Sequence, residues 1–400
     1  MSDLSHILDR FQPSAISVIF SLTSRLKEEG RDIIDLGIGE PDFPTPDHVK
    51  QAAIDAIEGD FTRYTPVDGI SALKSAISDK FSRDNGLAYA PNQIVVDAGA
   101  KPLLFHAIQA MVNPDDEVIL PVPCWTSYPG MVLLAGARPV TISCPEDKGF
   151  KLQADDLEKA ITDRTRLIML NSPSNPTGAA YSGEEMKALT DVLMRHPNIW
   201  IIADDIYEHI VFDDFKFSTP ASVEPGLYDR TLTINGVSKA YSMTGWRIGY
   251  AGGPKKLIGG IVKVLSQSAG NPCSISQAAA IAALQGPQDY LAERAAVFRE
   301  RRDFLVAGLN NINGFSCHAP EGAFYLFPSC AGLIGGVTSD GQKINSSADL
   351  ATYLLQDAGV AVVPGSAFEY DPNIRLSYAT SMDNLKLACD RLEKACHKIT

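Results

Sequence analysis

The chain has 400 residues, 45% of them apolar and 21% charged. That length and balance fit a globular enzyme built as one large domain and a smaller one. The formal net charge of −13 argues against nucleic acid or an anionic membrane as the main partner, because both select basic surfaces. A few buried Arg and Lys residues can still build a local anion site.

The seven cysteines (Cys124, Cys144, Cys273, Cys317, Cys330, Cys389 and Cys396) are scattered and contain no Cys-x-x-Cys pair. Neither a disulfide framework nor a metal site is expected. The opening segment Met1–Pro13 lacks the apolar run of a secretory signal. No apolar stretch reaches the ~18 residues of a membrane span. A cytoplasmic protein is the expectation.

In chain order, a helix is predicted around Ala15–Glu29. Strand-like apolar runs follow at Ile94–Asp97, Glu117–Pro121, Arg166–Leu170, Trp200–Ala203 and Thr231–Ile234. Several are nearly continuous in Val, Ile and Leu, as in a sheet covered on both faces. Helical stretches separate them; Ser182-Gly-Glu-Glu185 reads as a capping box opening one, with Met186, Leu189 and Leu193 at helical spacing. This alternation predicts βαβ units and a mostly parallel sheet. The last part differs: strands at Ala323–Phe327, Val360–Val363 and Ile374–Tyr378, a Gly-rich loop (Gly332, Gly335, Gly336, Gly341), a helix over Ser347–Ala358 stopped by Gly359, and a closing helix over Asp383–Lys398. It reads as a smaller α+β domain against which the N-terminal helix packs.

Ligands of parallel α/β sheets bind at the carboxyl ends of the strands, and four polar clusters stand there. After Ile94–Asp97 come Gly99, Ala100 and Lys101, small enough at a helix start to let backbone N–H groups approach a phosphate. After Arg166–Leu170 comes Asn171-Ser-Pro-Ser-Asn175-Pro176-Thr-Gly178, a rigid turn that presents Asn175. Asp204 and Tyr207 follow Trp200–Ala203. Ser238 and Lys239 follow Thr231–Ile234, with Arg247 eight residues beyond the lysine. An amine held near cations and partly desolvated has a lowered pKa and can form a Schiff base with an aldehyde. Further on, Arg375 stands between Ile374 and Leu376 on an apolar strand, where a charge must be paired or functional.

This set matches the needs of pyridoxal 5′-phosphate: donors for a phosphate, a carboxylate for a pyridine nitrogen, a lysine for the aldehyde. The motifs resemble fold-type-I pyridoxal-phosphate enzymes, in particular the class I aminotransferase family and, within it, bacterial aspartate aminotransferases of the rhizobial and Thermus type. The resemblance runs from Leu36-Gly-Ile-Gly-Glu-Pro-Asp42 through Asn171–Gly178 and Ser238–Gly249 to Arg375-Leu-Ser-Tyr-Ala-Thr380. It implies a mostly parallel sheet covered by helices in a large domain at 45–290, and a small domain formed by 1–44 with 291–400. By the same resemblance Lys239 carries the cofactor and moves the proton, Asp204 pairs with the ring nitrogen, and Tyr207 and Asn175 hold the phenolic oxygen. Trp125 stacks on the ring. Gly99, Ala100, Lys101, Ser238 and Arg247 surround the phosphate, joined by Tyr64 from a neighbouring subunit of a homodimer with shared sites. Arg375, helped by the Gly39 N–H, takes the substrate α-carboxylate. No metal is implied. A Gly-x-Gly-x-x-Gly nicotinamide fingerprint is absent, since Gly37-Ile-Gly39 is followed by Asp42 where the third Gly belongs.

The implied reaction moves the amino group of an L-amino acid to a keto acid by a ping-pong scheme, with aspartate and 2-oxoglutarate ranked first. Aromatic amino acids or prephenate are the alternative, and a C–S lyase of the same fold is another. The chain departs from its close relatives at Ile16, Ala100, Pro102 and Cys124. Of these, Ile16 lies in the segment expected to meet the substrate side chain.

Overall fold

The computed structural model describes residues 4–10 and 15–400, with side chains in the first helix from Ile19 onward. The side chain of Ile16, and with it the expectation about side-chain choice, lies outside the described residues.

In chain order the strands are β1 (Ile34–Asp35), β2 (Ile94–Asp97), β3 (Glu117–Val122), β4 (Arg138–Ser143), β5 (Thr165–Asn171), β6 (Trp200–Asp204), β7 (Thr231–Gly236), β8 (Gly249–Gly252), β9 (Tyr325–Leu326), β10 (Val360–Ala361), β11 (Val363–Pro364) and β12 (Ile374–Ser377). Seven form one sheet in the order β2-β8-β7-β6-β5-β3-β4. The expected α/β class and mostly parallel sheet are what is found. The five predicted runs fall on β2, β3, β5, β6 and β7; β2, β6 and β7 are buried at nearly every position. Helices cover both faces, and Ser182 caps the helix Gly183–Arg195 through a reciprocal pair with Glu185, as its sequence signature requires.

Two strands of this sheet escape sequence reading. β4 is the edge strand, half-exposed along its length, and so lacks an apolar run. β8 is Gly-Tyr-Ala-Gly, poor in strand-forming residues, and is imposed by packing. It runs antiparallel to both β2 and β7, so it starts at the edge where they end. That places Arg247, two residues before β8, at the same edge as Gly99 and Lys239. Gly249 pairs with Asp97 on one side and Gly236 on the other. A Cβ at Gly249 would collide with the backbone of Gly99 and Ala100.

The C-terminal part holds two small sheets, β11-β12-β9 and β1-β10. The expected strand Val360–Val363 is two strands on different sheets: Val360 pairs with Ile34, whereas Val363 pairs with Arg375. The run Ala323–Phe327 contributes only β9. The helix begun at Ser347 widens to a π-helical turn over Leu354–Ala358 before Gly359, at φ +64°, ends it. Ile19 and Leu26 of the helix Ala15–Glu28 join a core that includes Leu305, Phe324, Tyr353 and Leu376, so the N-terminal helix packs where expected. Among the described residues no helix is long and apolar enough to cross a membrane.

Candidate active site

A cleft at the carboxyl edge of the large sheet is lined by Gly39, Ala100, Lys101, Trp125, Asn175, Asp204, Tyr207, Ser238, Lys239, Arg247 and Arg375, among others. Parallel strands deliver most of these from sites far apart in sequence, while Gly39 comes from the loop after β1 and Arg375 from β12. Tyr64 does not line the cleft: it is 98% exposed on the single chain. Phe20 and Ile38, each 39% exposed, stand at the cleft with their apolar side chains partly in water.

Lys239 is partly buried at the cleft floor, and its ammonium donates to the Gly39 carbonyl at 2.6 Å. Burial, then the positive charge of Arg375, lowers its pKa to about 8. Near neutrality the ammonium still predominates, but the free amine, about a tenth of the total at pH 7, is far more populated than for an ordinary lysine. Asp204 ends β6, with Oδ2 accepting from the Tyr128 hydroxyl at 2.6 Å. Its Oδ1 is buried and makes no hydrogen bond among the described residues. Burial raises this carboxyl to about 6, an effect the Tyr128 hydrogen bond partly offsets.

At the phosphate end, Gly99 has φ +109° and precedes the helix Ala100–Met111. A Cβ there would strike the Arg247 guanidinium. Arg247 itself has φ +57° and donates to the Thr244 carbonyl at 3.0 Å. The first N–H groups of the helix, a buried serine and a guanidinium thus meet in one cup, the donor set an anion needs. The Lys101 ammonium lies 5.4 Å from the Trp125 ring centre, over the aromatic face.

Arg375 is fully enclosed. It donates to Asn175 Oδ1 at 3.0 Å and to the Gly37 carbonyl at 2.5 Å, and its Nε makes no hydrogen bond among the described residues. The guanidinium lies 4.6 Å from the Tyr325 ring centre. The Tyr207 and Tyr325 hydroxyls are 2.8 Å apart. Burial and Tyr325 push the Tyr207 phenol well above its ordinary range, which keeps it a neutral donor. The Asn175–Pro176 peptide is cis.

Tyr128, Asn171 and Tyr325 have roles in the site that the sequence did not single out. Tyr128 lies one helical turn after Trp125, a spacing that could have found it. Asn171 donates to the Asp204 carbonyl at 2.8 Å and accepts the Asn175 N–H at 2.9 Å; its place as the last residue of β5, level with Asp204, was the available signal. Tyr325 carries none, being one aromatic in an apolar run. Elsewhere Asp84, Glu208 and His209 come together, but Lys80 is wholly buried among them, paired with Glu208 and 3.9 Å from Asp84. The chain's own ammonium fills the place a cation would take.

Residues 31–392 match the family model for aminotransferase class I and II. The chain is 54% identical over 399 residues to an aspartate aminotransferase of Rhizobium meliloti, covering 98% of this chain and 97% of that one. It is also 54% identical to an aspartate/prephenate aminotransferase of Cereibacter sphaeroides, over 99% of both. The crystal structure of the Rhizobium meliloti aspartate aminotransferase superposes with a TM-score of 0.97 at 53% identity over the whole of both chains. A Thermus thermophilus aspartate aminotransferase with maleate gives 0.92 at 38% identity, over 99% of this chain and all of that one. The protein belongs to the class I and II aminotransferase family. It is a transaminase of the pyridoxal-phosphate-dependent kind, acting on amino and keto acids. The site fits that cofactor on its own terms, since a buried carboxylate oxygen without a partner, a phosphate cup and a desolvated amine share one cleft.

Proposed function

We propose that the chain transfers the amino group of L-aspartate to 2-oxoglutarate. One observation carries the mechanism: Lys239, with its pKa near 8, shares a cleft with Arg375 and with the unpartnered oxygen of Asp204. Bound pyridoxal phosphate supplies an aldehyde and a ring that draws electrons from the substrate Cα. Asp204 Oδ1 would hold a proton at the ring nitrogen, with Oδ2 fixed by the Tyr128 hydroxyl and the Asp204 backbone carbonyl held by Asn171. Tyr207 and Asn175 donate to the phenolic oxygen. Trp125 covers the ring face. Gly99, Ala100, Lys101 through its backbone, Ser238 and Arg247 take the phosphate.

Arg375 gives the substrate α-carboxylate a fork of donors, and the Gly39 N–H adds one. Lys239 would be the base that accepts the substrate Cα proton and holds it for return. We take 45–290 as the body that holds the cofactor, and 1–44 with 291–400 as the one that closes. Phe20 and Ile38 then meet over the substrate and exclude water.

Aspartate is favoured by the names of relatives at 54% identity and by Lys101, whose ammonium beside Trp125 can meet a distal carboxylate. Prephenate is the second reading, supported by the Cereibacter relative's name and by the apolar Phe20 and Ile38. We further propose a homodimer in which Tyr64, fully exposed on one chain, reaches the partner's phosphate. A cytoplasmic setting is supported by seven unpaired cysteines.

The test is a single half-reaction. Enzyme mixed with aspartate alone should yield one equivalent of keto acid and stop until 2-oxoglutarate is added. Sustained turnover without an acceptor would mean a lyase. A larger kcat/KM with prephenate as acceptor than with oxaloacetate would reverse the substrate order.

A further inference from the structure

Asp97, His106 and Ser268 form a chain of hydrogen bonds that no step above uses. Asp97 is the last residue of β2 and is 1% exposed; His106, on the helix Ala100–Met111, is 4% exposed. Asp97 Oδ1 accepts the Ala98 N–H at 2.6 Å, and Oδ2 lies 2.7 Å from His106 Nδ1. His106 Nε2 lies 2.9 Å from the Ser268 hydroxyl, whose single proton is shared between Nε2 and the Val264 carbonyl 3.0 Å away. A carboxylate only accepts, so Nδ1 carries the proton.

The carboxylate sits directly before the cup, with only Ala98 between it and Gly99. An unpaired buried carboxylate there would repel the phosphate and leave the Ala98–Gly99 turn unbraced. We propose that His106 is a positioning residue for the cofactor phosphate. It occupies the second oxygen of Asp97, so that the first can clamp the Ala98 N–H and hold the cup open to an anion. Ser268 anchors the imidazole to the end of the helix Lys255–Ser266.

The inference rests on reading Gly99–Lys101 as the phosphate cup, and the test separates the two. Affinities of the apoprotein for pyridoxamine phosphate and for pyridoxamine are measured by calorimetry, so that neither ligand reacts with Lys239. If the wild type gains nothing from the phosphate, the cup reading fails. If it does gain, H106L is expected to lose at least tenfold for the phosphorylated ligand, about 1.4 kcal/mol, with pyridoxamine unchanged. D97N/H106L, which has no buried carboxylate, should recover most of that loss. H106N, which keeps a donor to Asp97, should stay within about threefold of wild type.

An unchanged ratio of the two affinities in H106L overturns the inference. So does a lowered ratio that the double variant fails to restore. Should H106L not fold, H106N carries the test, and a tenfold fall of the ratio in that variant counts against the inference.

Discussion

The hydroxyls of Tyr207 and Tyr325 stand 2.8 Å apart, and the ring of Tyr325 also faces the Arg375 guanidinium. One side chain therefore touches both the residue proposed for the cofactor's phenolic oxygen and the residue proposed for the substrate carboxylate. Tyr325→Phe keeps the ring and removes one hydrogen bond, worth about 0.5–1.5 kcal/mol. A fall of about three- to tenfold in kcat/KM with little change in KM is expected. Tyr325→Leu removes the ring face as well and should also raise the KM for the amino donor. Steady-state kinetics with aspartate decide between these.

Asp204 should destabilise the apoprotein above pH 6. Its folded pKa of about 6 lies above the ordinary 3.8, so the folded state binds more protons between those values and loses stability as pH rises through them. The gap corresponds to up to about 3 kcal/mol. Apo Asp204→Asn should be more stable than wild type in urea at pH 7.5. The advantage should shrink as pH falls from 6 towards 3.8, while activity drops at least about a hundredfold.

For Lys239 the pH window lies higher. Its folded pKa of about 8 is below the ordinary 10.5, so the buried cation costs stability below pH 8 and the cost fades as pH rises to 10.5. Apo Lys239→Met should therefore gain up to about 3 kcal/mol at pH 7 and nothing above pH 10.5. Urea melts at pH 7 and 10.5 measure this. With cofactor added, the same variant should form no adduct that borohydride can fix.

Arg375→Lys replaces a fork with a point charge. We expect kcat/KM for aspartate to fall about a hundredfold, about 2.7 kcal/mol. A loss under about threefold would remove Arg375 from the carboxylate role.

Tyr64 tests the assembly. The active enzyme should sediment as a dimer, and Tyr64→Phe should weaken cofactor retention without dissociating it. A monomer with full activity would end the shared-site proposal.

Much of this was legible in the sequence because a parallel sheet puts its chemistry just beyond apolar runs. Gly99, Asn175, Asp204 and Lys239 each follow such a run, and the run itself announces the strand. What stayed hidden depends on partners distant along the chain. Tyr128 meets Asp204 76 residues away, and Tyr207 meets Tyr325 118 residues away. Periodicity reports which face of an element is buried, and is silent on which buried hydroxyl finds which carboxylate. β8 was illegible for another reason: glycine is needed at Gly249 for the cup to approach, and the same glycines erase the strand signal. His106 reads in sequence as one residue of an apolar helix.

Because β8 turns back beside β7, the segment between Gly236 and Gly249 leaves and re-enters the sheet at the same edge. The amine of Lys239 and the guanidinium of Arg247 are thus two points on one hairpin-like span, clamped at both ends by strand pairing. Their separation is set by the number of residues in that span, with no crossover helix to absorb a change. An insertion or deletion anywhere from 237 to 248 would move the reacting group and the phosphate anchor relative to each other.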